Sequence, residues 1–401
     1  MRHALIIFSL LFVNSASWAE VELQGNIEVQ MRLFTQDAVI DTLASDNYSI
    51  AIEPEFFYSW NDGDDQFEFV PFARLDQHDD ERSHVDVREL SWVHVSENWE
   101  SRIGIRKEFW GVTEFQHLVD IINQTDSVED IDGEDKLGQA MINLSLVRNW
   151  GIVDLYILPL FRERTFASID GRPTLAGLDQ DGALYEHRRE EDHVDYAARW
   201  SNSIGNIDIG VSIFDGTSRD PEFVPIFNDP SNVQPSAIVP FYRQITQLGL
   251  DLQVTLGSTL WKFEAINNDN SLEDYSAFQF GFEYSRYGVY DSNADLGWLM
   301  EYAWDSRGSN GRSTSLSANQ NDLYFGSRLA MNDVNSMEIL GGLSYDFDFN
   351  SVSLLVEASR RFGNNIKASI DVRLFNSSDP ADPIFFFRRD DHVQLTLQYF
   401  Y

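Results

Sequence analysis

Cysteine is absent from all 401 residues. That excludes a disulfide scaffold and any thiolate-ligated zinc or iron–sulfur centre. Basic residues are scarce, with 29 Lys and Arg against 65 Asp and Glu, a formal charge of −36. Nucleic acid is excluded as a partner on that ground, because a phosphate-binding surface needs a basic footprint. No segment beyond the first 19 residues approaches the roughly 18 consecutive apolar residues of a membrane-spanning helix. Hydrolase signatures are missing as well: neither G-x-S-x-G nor H-E-x-x-H occurs, and no enzyme activity is expected. Ser83 and His84 are neighbours, but adjacent residues of a strand point to opposite faces, so they form no dyad by themselves.

What the chain does have is apolar surface. Its 43% hydrophobic and 13% aromatic content is too high for a disordered polypeptide. Residues 1–19 read as a signal peptide: Met1-Arg2-His3 is a basic start, Ala4 to Val13 is apolar apart from Ser9, and Ser17-Trp18-Ala19 fits a small-x-small cleavage site. Residues 20–401 then form the mature chain. Loss of Arg2 leaves 28 basic residues against 65 acidic ones, a charge of −37.

From residue 21 onward, apolar and polar residues alternate. Val21, Leu23, Ile27, Val29, Met31 and Leu33 share one face, opposite Glu22, Gln24, Asn26, Glu28, Gln30 and Arg32. Tyr48, Ile50, Ile52, Pro54, Phe56, Tyr58 and Trp60 repeat the pattern, and Val393, Leu395, Leu397, Tyr399 and Tyr401 close it. Period-two alternation over ten or more residues signals strands long enough to cross a bilayer at a tilt. The spacing predicts an all-β, antiparallel transmembrane barrel of about eighteen strands, with sixteen as the competing count. The expected spans are 21–34, 46–60, 66–76, 84–96, 99–110, 137–147, 151–161, 191–201, 205–215, 243–256, 258–267, 274–286, 292–304, 320–331, 335–347, 350–361, 364–375 and 390–401.

The connections alternate in length. Segments 61–65, 97–98, 148–150, 202–204 and 332–334 are short, whereas 111–136, 162–190, 216–242, 305–319 and 376–389 are long. Short periplasmic turns and long external loops are the barrel rule; one external connection, near Asp348, is shorter than expected. Trp60, Trp99, Trp150, Trp200 and Trp261 fall at periplasmic strand ends, and Trp110 and Trp304 at external ends, as expected of interfacial rings. The terminal aromatic residue Tyr401 resembles the sorting signal read by the barrel-assembly machinery, an expected partner beside the lipid bilayer and its lipopolysaccharide.

Parity assigns Arg32, Arg74, Arg102, Arg106 and Arg199 to the lumen, together with Arg243, Arg328, Arg361 and Arg373. Glu53, Glu55, Glu283 and Glu301 are assigned there too. Such charges can line a solute path, or they can pair and stiffen the wall. Loop 111–136 is the candidate constriction, through Phe115, His117, Asp120, Asn123 and Asp126. A second candidate, 162–190, mixes Arg162, Arg164 and Arg172 with Asp170, Asp179 and Asp181. The pairs Asp130/Asp132 and Asp179/Asp181 each precede a glycine, as in a calcium loop, but neither completes its spacing. No metal or cofactor is expected.

The stretch Arg102-Ile-Gly104-Ile-Arg106-Lys-Glu-Phe-Trp110-Gly111, followed by Asp120-Ile-Ile-Asn123-Gln124-Thr-Asp126, resembles a family of porin-like outer-membrane barrels of mostly unassigned function. That family is marked by G-x-Q-x-x-x-W-G and D-x-x-N-P-x-D. Arg106 stands where the family has Gln, and Gln124 where it has Pro. The resemblance spans about 25 residues and implies a porin-like architecture. The expected function is passive diffusion of small hydrophilic solutes or ions across a Gram-negative outer membrane. The alternative is a plugged barrel that binds or adheres, with a loop-based enzyme a third reading. A homo-oligomer is compatible with each.

Overall fold

The computed structural model describes residues 21–175, 177–227, 235–308 and 320–401. The signal-peptide assignment at 1–19 lies outside them. Eighteen strands form one sheet in which every neighbour is antiparallel, and the sheet closes on itself. The first strand, Glu22–Phe34, pairs with the second, Asp46–Trp60, and also with the last, His392–Phe400, as in Ile27 opposite Tyr399. The count of eighteen holds, and each expected span has its strand.

Alternation builds this wall inside out. Val29, Ile50, Ile142, Val211, Leu248 and Met300 are exposed on the outer face, while Gln30, Ser49, Asn143, Ser212, Gln247 and Glu301 are buried within. In water such a molecule would expose a continuous apolar belt. In a bilayer the belt meets hydrocarbon, and the closed ladder pairs most of the strand backbone within the wall.

One rim carries tight turns. Gly205 and Gly257 open the two-residue connections after Ile204 and Leu256 with φ of 67° and 63°, a left-handed value that glycine accepts without strain. The other rim carries the long segments 107–138, 159–194 and 218–243, and the connection of 347–351 there is as short as the sequence indicates. Two of the long segments build a small sheet that sequence patterning did not indicate. In it Ala237–Tyr242 runs antiparallel to Glu222–Ile226 and parallel to Leu184–Tyr185.

Two departures from strict pairing shape the wall. Between the strands Asp65–Asp76 and Val85–Val95, Val70 faces Glu89 but Pro71 faces Val87, leaving Arg88 as a bulge. Arg88 and Glu89 therefore both point inward. The fifth strand, Trp99–Arg106, stops four residues before the expected Trp110. Trp110 is thus not an interfacial ring; it is buried in the interior.

Candidate functional site

Beyond Arg106 the chain turns into the barrel. The Lys107 N–H donates to the Glu89 carboxylate (2.8 Å), and the Glu108 N–H donates to Asn123 Oδ1 (2.8 Å). Apolar side chains make the turn favourable: Trp110, Val119 and Ile122 pack against Met141, Tyr156, Phe214 and Ile245 of the inner wall. Val119 and Ile122 are completely buried. Asn123 also donates to the carbonyls of Arg106 and Leu137 (2.8 Å each), tying the two ends of the segment together.

Segment 107–138 crosses the lumen and is held at both walls. On one side Arg88 binds Asp126 (2.5 Å) and Arg74 bridges Glu129 (2.7 Å) and Glu28 (2.9 Å). Arg32 donates to the Glu129 carbonyl (2.7 Å), and Arg82, from the adjoining rim connection, donates to the Val128 carbonyl (3.0 Å). On the other side the Glu264 carboxylate accepts from the N–H groups of Val112 (2.6 Å), Thr113 (2.9 Å) and Val119 (3.2 Å) and from the Thr113 hydroxyl (2.7 Å). Glu301 accepts from the N–H groups of Glu114 (2.9 Å) and Phe115 (3.1 Å). Phe115 stacks on Tyr324 at 4.8 Å, and the Glu114 carboxylate binds Arg328 and, at 3.5 Å, Lys262. Arg88 and Glu301 stand on the fourth and thirteenth of the eighteen strands. They are on opposite walls, so the segment spans the full width.

The crossing carries its own titrating groups. His117 lies 3.1 Å from Glu134. Burial opposes charge on the imidazole, but the hydrogen bond and charge of Glu134 outweigh it, and the His117 pKa is raised. Burial pushes the Asp120 carboxyl up despite Lys136 at 3.3 Å. Asp130 and Asp132 both reach Arg373, at 3.3 and 2.8 Å. Burial raises Asp130, yet Arg373 and Arg32 outweigh it and hold it below the usual carboxylate range. Water reaches Asp135 through the lumen, but the protein packed around it and the charges of Asp132, Asp130 and Glu129 push its pKa up to about 7.

Above the crossing, toward the long-segment rim, lies a cavity of about 500 Å³. Phe115, Tyr324, Tyr275, Phe166, Phe375 and Phe387 give it aromatic surface, and its Lys and Arg side chains are Lys136, Arg164, Arg219, Arg307 and Arg373. All five are ion-paired: with Asp120, Asp220 (3.4 Å), Asp195 (2.7 Å), Asp305 (2.6 Å) and Asp132 respectively. Arg172 fastens the overlying segment 159–194. It binds Asp390 (2.7 Å), the Gln36 carbonyl (3.0 Å) and the Arg389 carbonyl, and lies 4.2 Å over the Phe34 ring.

The residues expected to line a pore divide into three groups. Arg32, Arg74, Arg328, Arg373 and Glu301 hold the crossing, and the five candidate constriction residues Phe115, His117, Asp120, Asn123 and Asp126 all lie within it. Arg199 binds Asp251 (2.6 Å) beside Trp110, Arg102 binds Glu100 (2.6 Å) and Asn143 (3.1 Å), and Arg106 lies 3.7 Å from Glu108. Glu55 accepts from Gln24 (2.7 Å), Glu53 faces Asn26, and Glu283 lies 3.9 Å from Lys262. Arg243 departs from expectation. It sits at the rim, bound to Glu222 of the small sheet, because its strand begins only at Gln244. Arg361 is also away from the crossing, 5.0 Å over the Phe400 ring.

Neither calcium candidate gathers ligands. Asp130 and Asp132 are taken by Arg373, while Asp179 and Asp181 are exposed at the rim. Among the described residues no group of three acidic, histidine or cysteine side chains converges on a metal position.

Sequence parity missed Arg82, Arg88 and Arg219. For Arg88 a signal existed. Val85 and Val87 are in phase with each other but out of phase with Leu90 and Trp92, and the shift of one residue marks a bulge. Arg82 and Arg219 lie in connections, where no period applies. Arg219 pairs with Asp195 and donates to the Ile122 carbonyl (3.2 Å).

No family model and no curated protein matches this sequence. Solved structures do. Wzi, an Escherichia coli outer-membrane protein involved in group 1 capsule assembly and described as a carbohydrate-binding β-barrel, superposes with a TM-score of 0.54 at 10% identity. The match covers 94% of this chain and 84% of Wzi. A mutant of Rh. blastica porin matches over 95% of this chain and 100% of its own, at 11% identity and a TM-score of 0.45. At these identities the likeness to Wzi speaks for a shared barrel fold alone, and that to the porin is weaker still.

Proposed function

We propose that this chain is an outer-membrane β-barrel closed across its lumen by its own segment 107–138, and that it works by binding a neutral, carbohydrate-like ligand in the cavity above that crossing. The observation that carries this reading is the wall-to-wall anchoring of the segment. Its hydrogen bonds and ion pairs engage both walls, and many are buried, so leaving the lumen would strand several charges at once. The arginines that a conducting constriction would present to solutes are paired with carboxylates instead. The ligand class follows from the cavity. Its Lys and Arg side chains are paired in place, and neutral polar side chains such as Asn123, Gln247, Asn268 and Ser353 share the rest of its lining with aromatic rings, which suits a polyhydroxylated molecule that offers hydroxyls to polar side chains and C–H faces to rings. The carbohydrate binding described for Wzi, a barrel of similar fold, is in keeping with this.

A second reading, passive diffusion, is favoured by charged wall residues that stay part-exposed, such as Arg102 and Glu100. Planar-bilayer recording separates the two. The closed reading expects no stepwise conductance from residues 20–401, and its appearance in the double variant Asp126→Ala/Glu129→Ala, which releases one wall. Stepwise conductance in the unaltered protein would select diffusion. Ligand class is read by fluorescence titration with neutral and acidic oligosaccharides of equal length. Saturable quenching by the neutral series alone is expected, and tighter binding of the acidic series would reject the class.

A further inference from the structure

The outer face of the barrel carries a groove that ligand binding in the mouth does not use. It exists because of two gaps in the wall. Pairing of Val85–Val95 with the fifth strand covers only Leu90 to Val95, so the part of that strand nearer the long-segment rim lacks a partner on one side. Between the second and third strands, pairing runs to Ile52 opposite Ala73 and resumes only at Phe56 opposite Phe69. Pro54 and Pro71 stand in that interval and have no N–H to give to a ladder.

The consequence is a concave, largely apolar groove of about 680 Å³ on the lipid-facing surface, with Ala73 and Ala140 among its small lining residues and Ile52 and Leu160 exposed beside it. Gly138 seals it from the lumen. A Cβ there would lie 2.6 Å from the Arg88 carbonyl oxygen, so only glycine closes this approach. Arg162 also lines the groove. Its guanidinium donates to both carboxylate oxygens of Asp86 (3.0 and 3.4 Å) and to the Gly138 carbonyl (3.0 Å), and its Nε has no acceptor among the described residues. The side chain remains 34% exposed. Asp86 offsets its charge, but the Nε edge stays open beside the apolar trough, so a charge-assisted donor stands next to hydrocarbon contact.

We infer that this groove seats an acyl chain of a phosphorylated outer-leaflet glycolipid, of the lipopolysaccharide class, with Arg162 taking a phosphate of its headgroup. The groove opens to the bilayer, so an acyl chain fills it without leaving hydrocarbon. The long segments lie at this end of the barrel, the end that the barrel rule assigns to the external leaflet. Guanidinium is the side chain best matched to phosphate geometry, and its bond to Asp86 fixes its direction.

Native mass spectrometry of residues 20–401, refolded with purified lipid A and exchanged into detergent, tests this. The unaltered barrel should retain one lipid A. Ala140→Phe fills the groove with a ring that lipid tolerates, and should lower retention at least tenfold. Arg162→Gln should lower it severalfold and remove the preference for phosphorylated over dephosphorylated lipid A. Heat-modifiable mobility shows that each variant is folded. If a variant does not fold, the comparison of phosphorylated with dephosphorylated lipid A on the unaltered barrel decides alone. Equal retention of the two, equal retention by barrel and folded variants, or equal retention of phosphatidylglycerol, would overturn the assignment.

Discussion

Removing one partner of a buried ion pair costs more than the pair contributes, because the other charge is left without water or counter-charge. Arg88 and Asp126 are such a pair, both inside the barrel and both nearly inaccessible. Asp126→Ala should therefore destabilise the folded barrel by about 3–5 kcal/mol, read as a lower midpoint of urea unfolding in detergent. Glu264 makes a different test. Its two oxygens only accept, and Gln at that position would turn an N–H₂ toward a loop N–H. With one buried donor unmatched at about 1–3 kcal/mol, Glu264→Gln should expose 111–119 to protease while leaving strand content by circular dichroism unchanged. Unaltered protease resistance would show that the Glu264 contacts do not hold the segment.

At the scale of the element, segment 107–138 couples the lumen to pH. The His117 pKa is raised by Glu134, so its contribution is complete below the unfolded histidine value of about 6.5 and is lost as pH rises through the higher folded value. Asp135 acts in the same direction. Its folded pKa of about 7 exceeds the unfolded value, so the folded state holds the proton more tightly and stability falls as pH rises from about 4 toward 7. Opposing them, Glu134 is held low by His117 despite burial, and its contribution is lost only in acid. Amide exchange across 112–136 should accelerate between about pH 5 and about pH 9, beyond the intrinsic base catalysis seen in an unstructured peptide. His117→Gln and Asp135→Asn should each remove part of that excess, and an excess that survives both substitutions would assign it to other groups.

At the scale of the whole molecule, the two faces of each strand face different solvents. Val211 lies outward at mid-strand and Ser212 inward. Val211→Arg should cost about 2–4 kcal/mol in a bilayer, measured by reversible folding into vesicles. A cost near zero would place that face in water. The closed ladder from the first strand to the last also predicts a barrel that migrates differently in SDS before and after boiling.

The sequence by itself determined the wall. Period-two alternation is a local property, and it placed all eighteen strands, their inward and outward faces, and the rim that carries the long segments. It also marked 111–136, because an apolar opening followed by carboxylates cannot rest in open solvent or in lipid. What only the tertiary structure decided is where that alternation is overruled. The fifth strand could have run on to Trp110, but burial of Trp110, Val119 and Ile122 inside the barrel outweighs four more residues of ladder, and no local pattern records that competition. Which arginine meets which carboxylate was likewise unreadable, since Arg88 and Asp126 are 38 residues apart and Arg373 and Asp132 are 241 apart, brought together by barrel closure and the inward path of segment 107–138. Parity could bring Arg373 into the lumen but not Arg88 beside its bulge, and only the crossing chain shows which carboxylates bind them.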